Sequence, residues 1–202
     1  MGYTTDFHGK FKLNKTLDND TKVYLTRFNE TRRMAFNVDS KYGIDGEFYV
    51  GHHWDFSGCF AGQVDRSYSG LMSYNCPPST QPGLWCQWTP SDCGNYIEWD
   101  GGEKFYNYVE WLQYIIDNFL KPKGYSLTGD VHWQGESSND MGVIVVQNNA
   151  VKTMDVNEHR KIKEVDAAVN GIINPEAEEI AQEDLEAAAA FYDNLKSGEF
   201  YE

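Results

Sequence analysis

The chain has 202 residues and a formal net charge of −14, from 31 acidic and 17 basic residues. Hydrophobic residues make up 41% of it and aromatic residues 15%, so a wholly disordered chain is excluded, because this much apolar surface can offset the entropy of folding. No run of 18 apolar residues occurs, which excludes an apolar membrane-spanning helix. The polar start MGYTTDFHGKFKL does not read as a signal peptide, so we expect a cytoplasmic protein.

The first predicted elements are a strand, a helix and a second strand. Residues 5–13 alternate in polarity, with Phe7 on the apolar side, which is typical of a half-buried strand. Residues 18–38 predict a helix whose apolar stripe includes Phe28 and Ala35, with Arg33 outside the stripe. Residues 46–51, bounded by glycines, predict a short strand.

An irregular stretch rich in glycine, serine and aromatic residues follows over residues 51–82. Long loops in compact domains are often functional. Trp54 lies in this stretch, and Trp85 and Trp88 follow it. Exposed together, these rings would stack on a nucleotide or a sugar, or would anchor a protein surface that accepts aromatic side chains. The alternative is that the rings pack in the core.

The middle of the chain predicts two paired strands, a helix and three more strands. The paired strands cover residues 84–89 and 96–100, and Asp100 with Glu103 matches a helix capping box. Pro122 ends this helix, whose apolar face contains Phe105, Val109, Leu112, Ile116, Phe119 and Leu120. The later strands are predicted at residues 125–135, 141–146 and 151–154, with a tight turn at Asn148-Asn149.

The C-terminal quarter has a different composition. Residues 155–202 contain 13 acidic and 4 basic residues, a net charge of −9. Residues 156–169 predict a charged helix, and Asn174-Pro175 predicts the start of another. The weak apolar face of this C-terminal helix would pack on its own domain, bind a protein partner or form a homodimer. We predict that it binds a partner through its acidic residues Glu178, Glu179, Glu183, Asp184 and Glu186.

These elements predict an α+β fold with a mainly antiparallel sheet, which the central amphipathic helix covers. Residues 1–154 form the predicted α+β domain, and residues 155–202 form an acidic, helical C-terminal segment. A negative field repels nucleic-acid phosphates and acidic lipids. We therefore expect no direct binding to nucleic acid or membranes, and we expect a protein partner with a basic surface. The simpler explanation of the charge is solubility.

One strand face suggests catalysis. Strand alternation places His132 and Glu136 on the same polar face, and Glu98 has the same position in a neighbouring predicted strand. If the three side chains converge, a histidine beside carboxylates suits general acid–base chemistry, as in a small hydrolase. The alternative is the solvated face that an antiparallel sheet often presents.

Four cysteines occur within 35 residues, namely Cys59, Cys76, Cys86 and Cys93, near His52-His53. Their spacing lacks the close pairs that are typical of zinc sites. In a chain without a secretion signal we expect free thiols rather than disulfides. A zinc site drawn from these residues is the alternative, and no other cofactor is indicated.

The segments QPGLWCQW, EWDGGEKFYNYVEWL and GYSLTGDVHWQGE resemble an uncharacterised family of small soluble bacterial and phage proteins. The resemblance covers about residues 1–154. It implies a cytoplasmic, prokaryotic or phage setting, and it implies no activity, cofactor or residue role. The sequence therefore favours a non-enzymatic acidic protein-interaction module. One use of such a module in a phage is to inhibit a host or defence protein, including by mimicking the charge of nucleic acid.

Overall fold

The computed structural model describes residues 2–50 and 70–173. The chain divides into two units, Met1–Met154 and Asp155–Glu202. The described strands are β1 (Thr5–Gly9), β2 (Phe11–Leu13), β3 (Ala35–Phe36), β4 (Leu71–Ser73), β5 (Trp88–Pro90), β6 (Tyr96–Trp99), β7 (Leu127–Gly135), β8 (Met141–Gln147) and β9 (Ala150–Met154). The described helices are α1 (Asn19–Glu30), α2 (Tyr108–Ile115) and α3 (Val156–Ile173).

Seven of the described strands form one antiparallel sheet. Its order is β5-β6-β2-β7-β8-β9, and β1 pairs with β7. Strands β3 and β4 form a separate two-stranded sheet. Together with the helices, this arrangement confirms the predicted α+β class with a mainly antiparallel sheet.

Strands β1 and β2 are consecutive pieces of one extended segment, both lying beside β7. Phe7 pairs with Trp133, and Leu13 pairs with Leu127. The segment bends at Gly9, which has a φ of +108°, and a Cβ atom there would lie 2.7 Å from the carbonyl oxygen of Asp130. Glycine is required at this bend because a side chain would meet backbone. The predicted alternation is confirmed, since the apolar positions of this segment are buried.

Helix α1 begins as the sequence predicts and ends earlier. The Asp18 carboxylate accepts a hydrogen bond from Thr21 N at 2.7 Å, which caps the helix and lowers the pKa of Asp18 to about 2. The helix ends at Glu30, and Ala35 lies in β3 instead of on a helical stripe. The prediction of a helix to residue 38 is wrong, because the later amides bond to distant segments. Ala35 N, for example, donates to Cys76 O at 3.0 Å.

Two predicted strands differ from the structure. The strand predicted at residues 46–51 is absent from its described part, residues 46–50, because Ile44–Gly46 is a 3-10 turn and Tyr49 N donates to Gly46 O at 2.8 Å. Of the predicted strand at residues 84–89, only the end belongs to β5. The predicted pairing of β5 with β6 is confirmed, and it is antiparallel with Trp88 opposite Trp99.

Helix α2 covers the core, but the predicted capping box is wrong. The Asp100 side chain accepts from Gly102 N at 2.7 Å and from Asn29 Nδ2 at 2.7 Å, so it caps a turn, and the helix begins only at Tyr108. The helix continues through a π-helical turn, Ile116–Leu120, and a 3-10 turn. Most of its predicted apolar face is buried, at Phe105, Leu112, Ile116, Phe119 and Leu120.

The core lies between one face of the sheet and the helices α1 and α2. Leu25 and Phe28 of α1, Trp111 and Ile115 of α2, and Val131 of β7 all belong to this buried cluster. The predicted central helix over the sheet is thereby confirmed. The tight turn before β9 is also confirmed, since Asn148 and Asn149 have positive φ angles of 46° and 70°.

The described part of the second unit is helix α3, which confirms the charged helix predicted at residues 156–169. Asp155 begins it, since its carboxylate accepts from Asn157 N at 2.8 Å. The helix predicted to start at Asn174 lies outside the described residues. In the ranges that the structure describes, no helix combines the length and apolarity needed to cross a membrane.

Candidate functional site

The structure does not bring together the three predicted catalytic side chains. His132 lies on β7 opposite His8, and Glu98 lies on β6, which β2 separates from β7. Two strand spacings amount to roughly 10 Å. Glu136 is four residues from His132 along extended backbone, or roughly 13 Å, and its carboxylate accepts from Thr4 N at 2.8 Å. Neither carboxylate is on a residue adjacent to His132 in the sheet, so the backbone geometry does not support the predicted convergence.

The predicted aromatic surface is divided by the fold. Trp88 is 1% exposed, and its indole Nε1 donates to Tyr108 O at 2.7 Å. Its ring packs edge-on against Phe7 and Phe11, so Trp88 is a core residue and presents no face to a ligand. Trp85 is half-buried with the Arg32 guanidinium 5.9 Å from its ring centre. Trp54 lies outside the described residues.

The described cysteines do not gather into a site. Cys86 is buried in the core, whereas Cys76 and Cys93 are exposed, and none of the three forms a disulfide. Within residues 2–50 and 70–173, no group of three or more histidine, cysteine, aspartate or glutamate side chains could hold a metal ion. Cys59 and His52-His53 lie outside the described residues, so zinc binding stays a prediction.

The thiols are expected to differ sharply in reactivity. Burial raises the pKa of Cys86 to about 12, whereas hydrogen bonds from Ser91 and Asn95 lower the pKa of Cys93. Because the thiolate is the reactive form, iodoacetamide at neutral pH will label Cys93 in the native protein and leave Cys86 unlabelled. Peptide mapping by mass spectrometry measures both sites. In urea both will be labelled, and equal labelling in the native protein would contradict the burial of Cys86.

The least expected feature of the first unit is a buried arginine. Arg33 is 1% exposed, and its backbone N donates to Leu84 O at 2.8 Å. Its guanidinium Nη2 donates to Glu47 O at 2.8 Å, and Nε donates to Gln81 Oε1 at 3.3 Å. The guanidinium carbon lies 4.2 Å from the ring centre of Phe28. Burial lowers the pKa of Arg33 to about 10, so the group is still a cation at neutral pH.

A glutamate lies beside this cation. Glu47 is 8% exposed, and its Oε2 accepts from Thr80 Oγ1 at 2.6 Å and from Tyr114 OH at 3.0 Å. Its Oε1 accepts from Ile44 N at 3.2 Å. Burial raises the pKa of Tyr114 above its usual range, so the phenol is a hydrogen-bond donor at neutral pH. We call Arg33, Glu47, Thr80, Gln81 and Tyr114 the Arg33 cluster.

The Arg33 cluster joins the chain that follows α1, the turn around Glu47, the loop around Gln81 and helix α2. Gln81 Nε2 adds a hydrogen bond of 2.6 Å to Glu47 O. Arg33 Nη1 alone among the cluster's polar side-chain atoms is buried without a partner in the described part of the chain. The hydrogen bonds of the cluster join its members to one another, so they hold the turn around Glu47 and the loop around Gln81 on the core. The sequence pattern does not reveal this cluster, because an arginine outside the apolar stripe of a predicted helix is expected at the surface.

A second feature lies on α3, where three apolar side chains face solvent. The exposed fractions of Ile162, Val165 and Val169 are 43%, 61% and 47%. Successive residues of a helix are 100° apart, so this spacing of three and four residues forms one stripe. We call these three residues the α3 stripe. Its spacing was visible in the sequence, and sequence analysis missed it because the surrounding residues are charged.

The remainder of α3 frames this stripe. Among residues 156–169, the more buried ones are Val156, His159 and Ala167, and they lie on another side of the helix. Lys161 and Asp166 flank the α3 stripe on opposite sides, each roughly 70° from its centre. The α3 stripe is therefore an apolar surface with charged borders, which is the composition of a protein-binding helix. The predicted acidic contacts Glu178, Glu179, Glu183, Asp184 and Glu186 lie outside the described residues.

No family model, no curated protein and no solved structure matches the chain. Two features of the described residues therefore bear on function, the internal Arg33 cluster and the exposed α3 stripe.

Proposed function

We propose that the chain is a non-enzymatic, acidic protein-interaction module that binds through its second unit. The observation that carries the proposal is the exposure of Ile162, Val165 and Val169 on one side of α3. Exposing apolar side chains to water costs free energy, and covering them on a partner recovers it. Contiguous exposed apolar surface is typical of protein interaction sites.

The charge of the second unit indicates what the partner's surface carries. Residues 155–202 have a net charge of −9. Such a segment attracts a basic surface and repels nucleic acid. The proposed partner therefore presents a basic surface to the acidic residues of this segment. In a phage or bacterial cytoplasm, such a module would inhibit a host or defence protein by occupying a surface that otherwise receives the phosphates of nucleic acid.

The test uses the full chain as an immobilised bait in bacterial extract. A triple variant, Ile162→Ala with Val165→Ala and Val169→Ala, removes the α3 stripe while alanine preserves helix formation. We expect the triple variant to bind the captured protein at least about tenfold more weakly. Glu164→Ala is the matched control, because Glu164 lies on the opposite side of α3, where it pairs with Arg160 at 3.8 Å.

Salt separates the electrostatic contribution from the apolar one. At about 0.5 M salt the screening length is only about 4–5 Å, so an interaction led by the acidic unit will weaken strongly. If the triple variant captures the same proteins with the same affinity as the wild-type chain, the α3 stripe is not the binding surface and the proposal fails.

A further inference from the structure

We infer that the α3 stripe pairs with the same stripe of a second copy of this chain, in a parallel two-helix arrangement. The inference rests on the proposed function, because it takes the α3 stripe as a protein-binding surface. It assigns that stripe to a second copy and leaves the acidic residues outside the stripe for the basic partner. Three observations on α3 support it: the spacing of its apolar residues, the opposite charges that flank them, and the absence of ion pairs at those two charges within the described residues.

The register is that of a helix pair. Ile162, Val165 and Val169 recur with a spacing of three and then four residues, which places them at successive a, d and a positions of a heptad. Side chains at these positions interdigitate when two helices lie side by side. β-Branched residues at a positions, here Ile162 and Val169, occur in two-stranded coiled coils, and the direction of the pair is set by the flanking charges.

The flanking charges select a second copy and its direction. In this register Lys161 is a g position and Asp166 is the e position five residues later. In a parallel pair, g of one helix faces the following e of the other, so Lys161 meets the partner's Asp166 twice by symmetry. An antiparallel pair would place lysine against lysine and aspartate against aspartate, which repel.

Both charges are available for this contact. Within residues 2–50 and 70–173, neither Lys161 nor Asp166 forms an ion pair, whereas Arg160 and Glu164 on the opposite side of α3 pair with each other at 3.8 Å. From Arg160 to Val169 every side chain except Ala167 is classed as exposed. Most of the stability of a helix in a protein comes from packing of its apolar side, so pairing with a second helix would stabilise α3.

The first measurement is the mass of the full chain by sedimentation equilibrium from roughly 1 μM to 1 mM, a range that covers weak pairs. At about 0.15 M salt the screening length is about 8 Å. This suppresses the general repulsion between two chains of net charge −14 and retains the close Lys161 to Asp166 contacts. We expect the mass to rise from 23.1 kDa toward twice that value with concentration.

Charge reversal then tests the register. Lys161→Asp places aspartate opposite the partner's Asp166, and we expect it to raise the dissociation constant at least about tenfold. The double variant Lys161→Asp with Asp166→Lys re-forms both pairs, and we expect it to restore the dissociation constant to within about threefold. Arg160→Asp is the matched control, since it changes the charge equally on the opposite side of α3.

Three results would overturn the second-copy pairing. A mass of 23.1 kDa at every concentration, a three-copy mass, or a dimer insensitive to Lys161→Asp overturns the inference. If the chain is monomeric but the triple alanine variant still loses a captured protein, the proposed function stands and the occupant is a different protein. If the chain is monomeric and capture does not depend on the α3 stripe, both the inference and the proposed function fail.

Discussion

Replacing Arg33 with alanine is expected to lower the free energy of unfolding by about 3–5 kcal/mol. The variant removes the guanidinium that donates to Glu47 O and Gln81 Oε1, and with it the positive charge that interacts with the nearby Glu47 carboxylate. It also removes the packing of the Arg33 side chain on the Phe28 ring. Urea unfolding followed by tryptophan fluorescence measures the change.

Two controls separate the buried charge from simple truncation. Arg32→Ala makes the same change one residue earlier, at a half-buried position on the Tyr74 ring, and should cost about 1 kcal/mol or less. Arg33→Met combined with Glu47→Gln removes both charges and should be at least about 1 kcal/mol more stable than Arg33→Met alone. If Arg33→Ala costs no more than Arg32→Ala, the Arg33 cluster does not position the loops.

The second large effect is expected at Trp88. Trp88→Ala should destabilise the protein by about 3–5 kcal/mol, because it empties a fully buried ring site and breaks the hydrogen bond to Tyr108 O. Trp85→Ala should cost about 1 kcal/mol, since Trp85 is only half-buried. Thermal unfolding of both variants by circular dichroism gives the comparison.

The pair of tryptophan variants also tests the functional assignment. If Trp88 were a ligand-stacking residue, its loss would weaken binding with little effect on stability, as is common for exposed interface residues. We expect the reverse: where Trp88→Phe folds, its capture of a protein partner should match that of the wild-type chain. A Trp88→Ala variant as stable as the wild type would contradict the core position of this ring.

Several features of this protein follow from local sequence pattern alone. The alternation around Phe7 and Phe11 predicted a strand with one buried side, and the spacing of Leu112 and Ile116 predicted the face by which α2 covers the core. Asn148-Asn149 predicted the tight turn before β9. These predictions hold because burial on one side of a regular element repeats with the period of its backbone, so the pattern records the buried side.

Other features depended on partners that are distant in sequence. Helix α1 ends at Glu30 although its helical pattern continues, because the amides beyond it bond to Leu84 and Cys76. Likewise, β2 lies between β6 and β7, and this strand order keeps Glu98 away from His132. No local pattern contains the strand order of a sheet, so whether polar side chains converge is settled by topology.

The sequence by itself determined the fold class, the faces of the regular elements and the acidic character of residues 155–202. The tertiary structure alone decided that Arg33 is a buried cation and that Trp88 is a core ring. The physical reason is the same for both residues. A charge or an amphipathic ring is stable inside only where distant segments supply acceptors, here Glu47 O for Arg33 and Tyr108 O for Trp88.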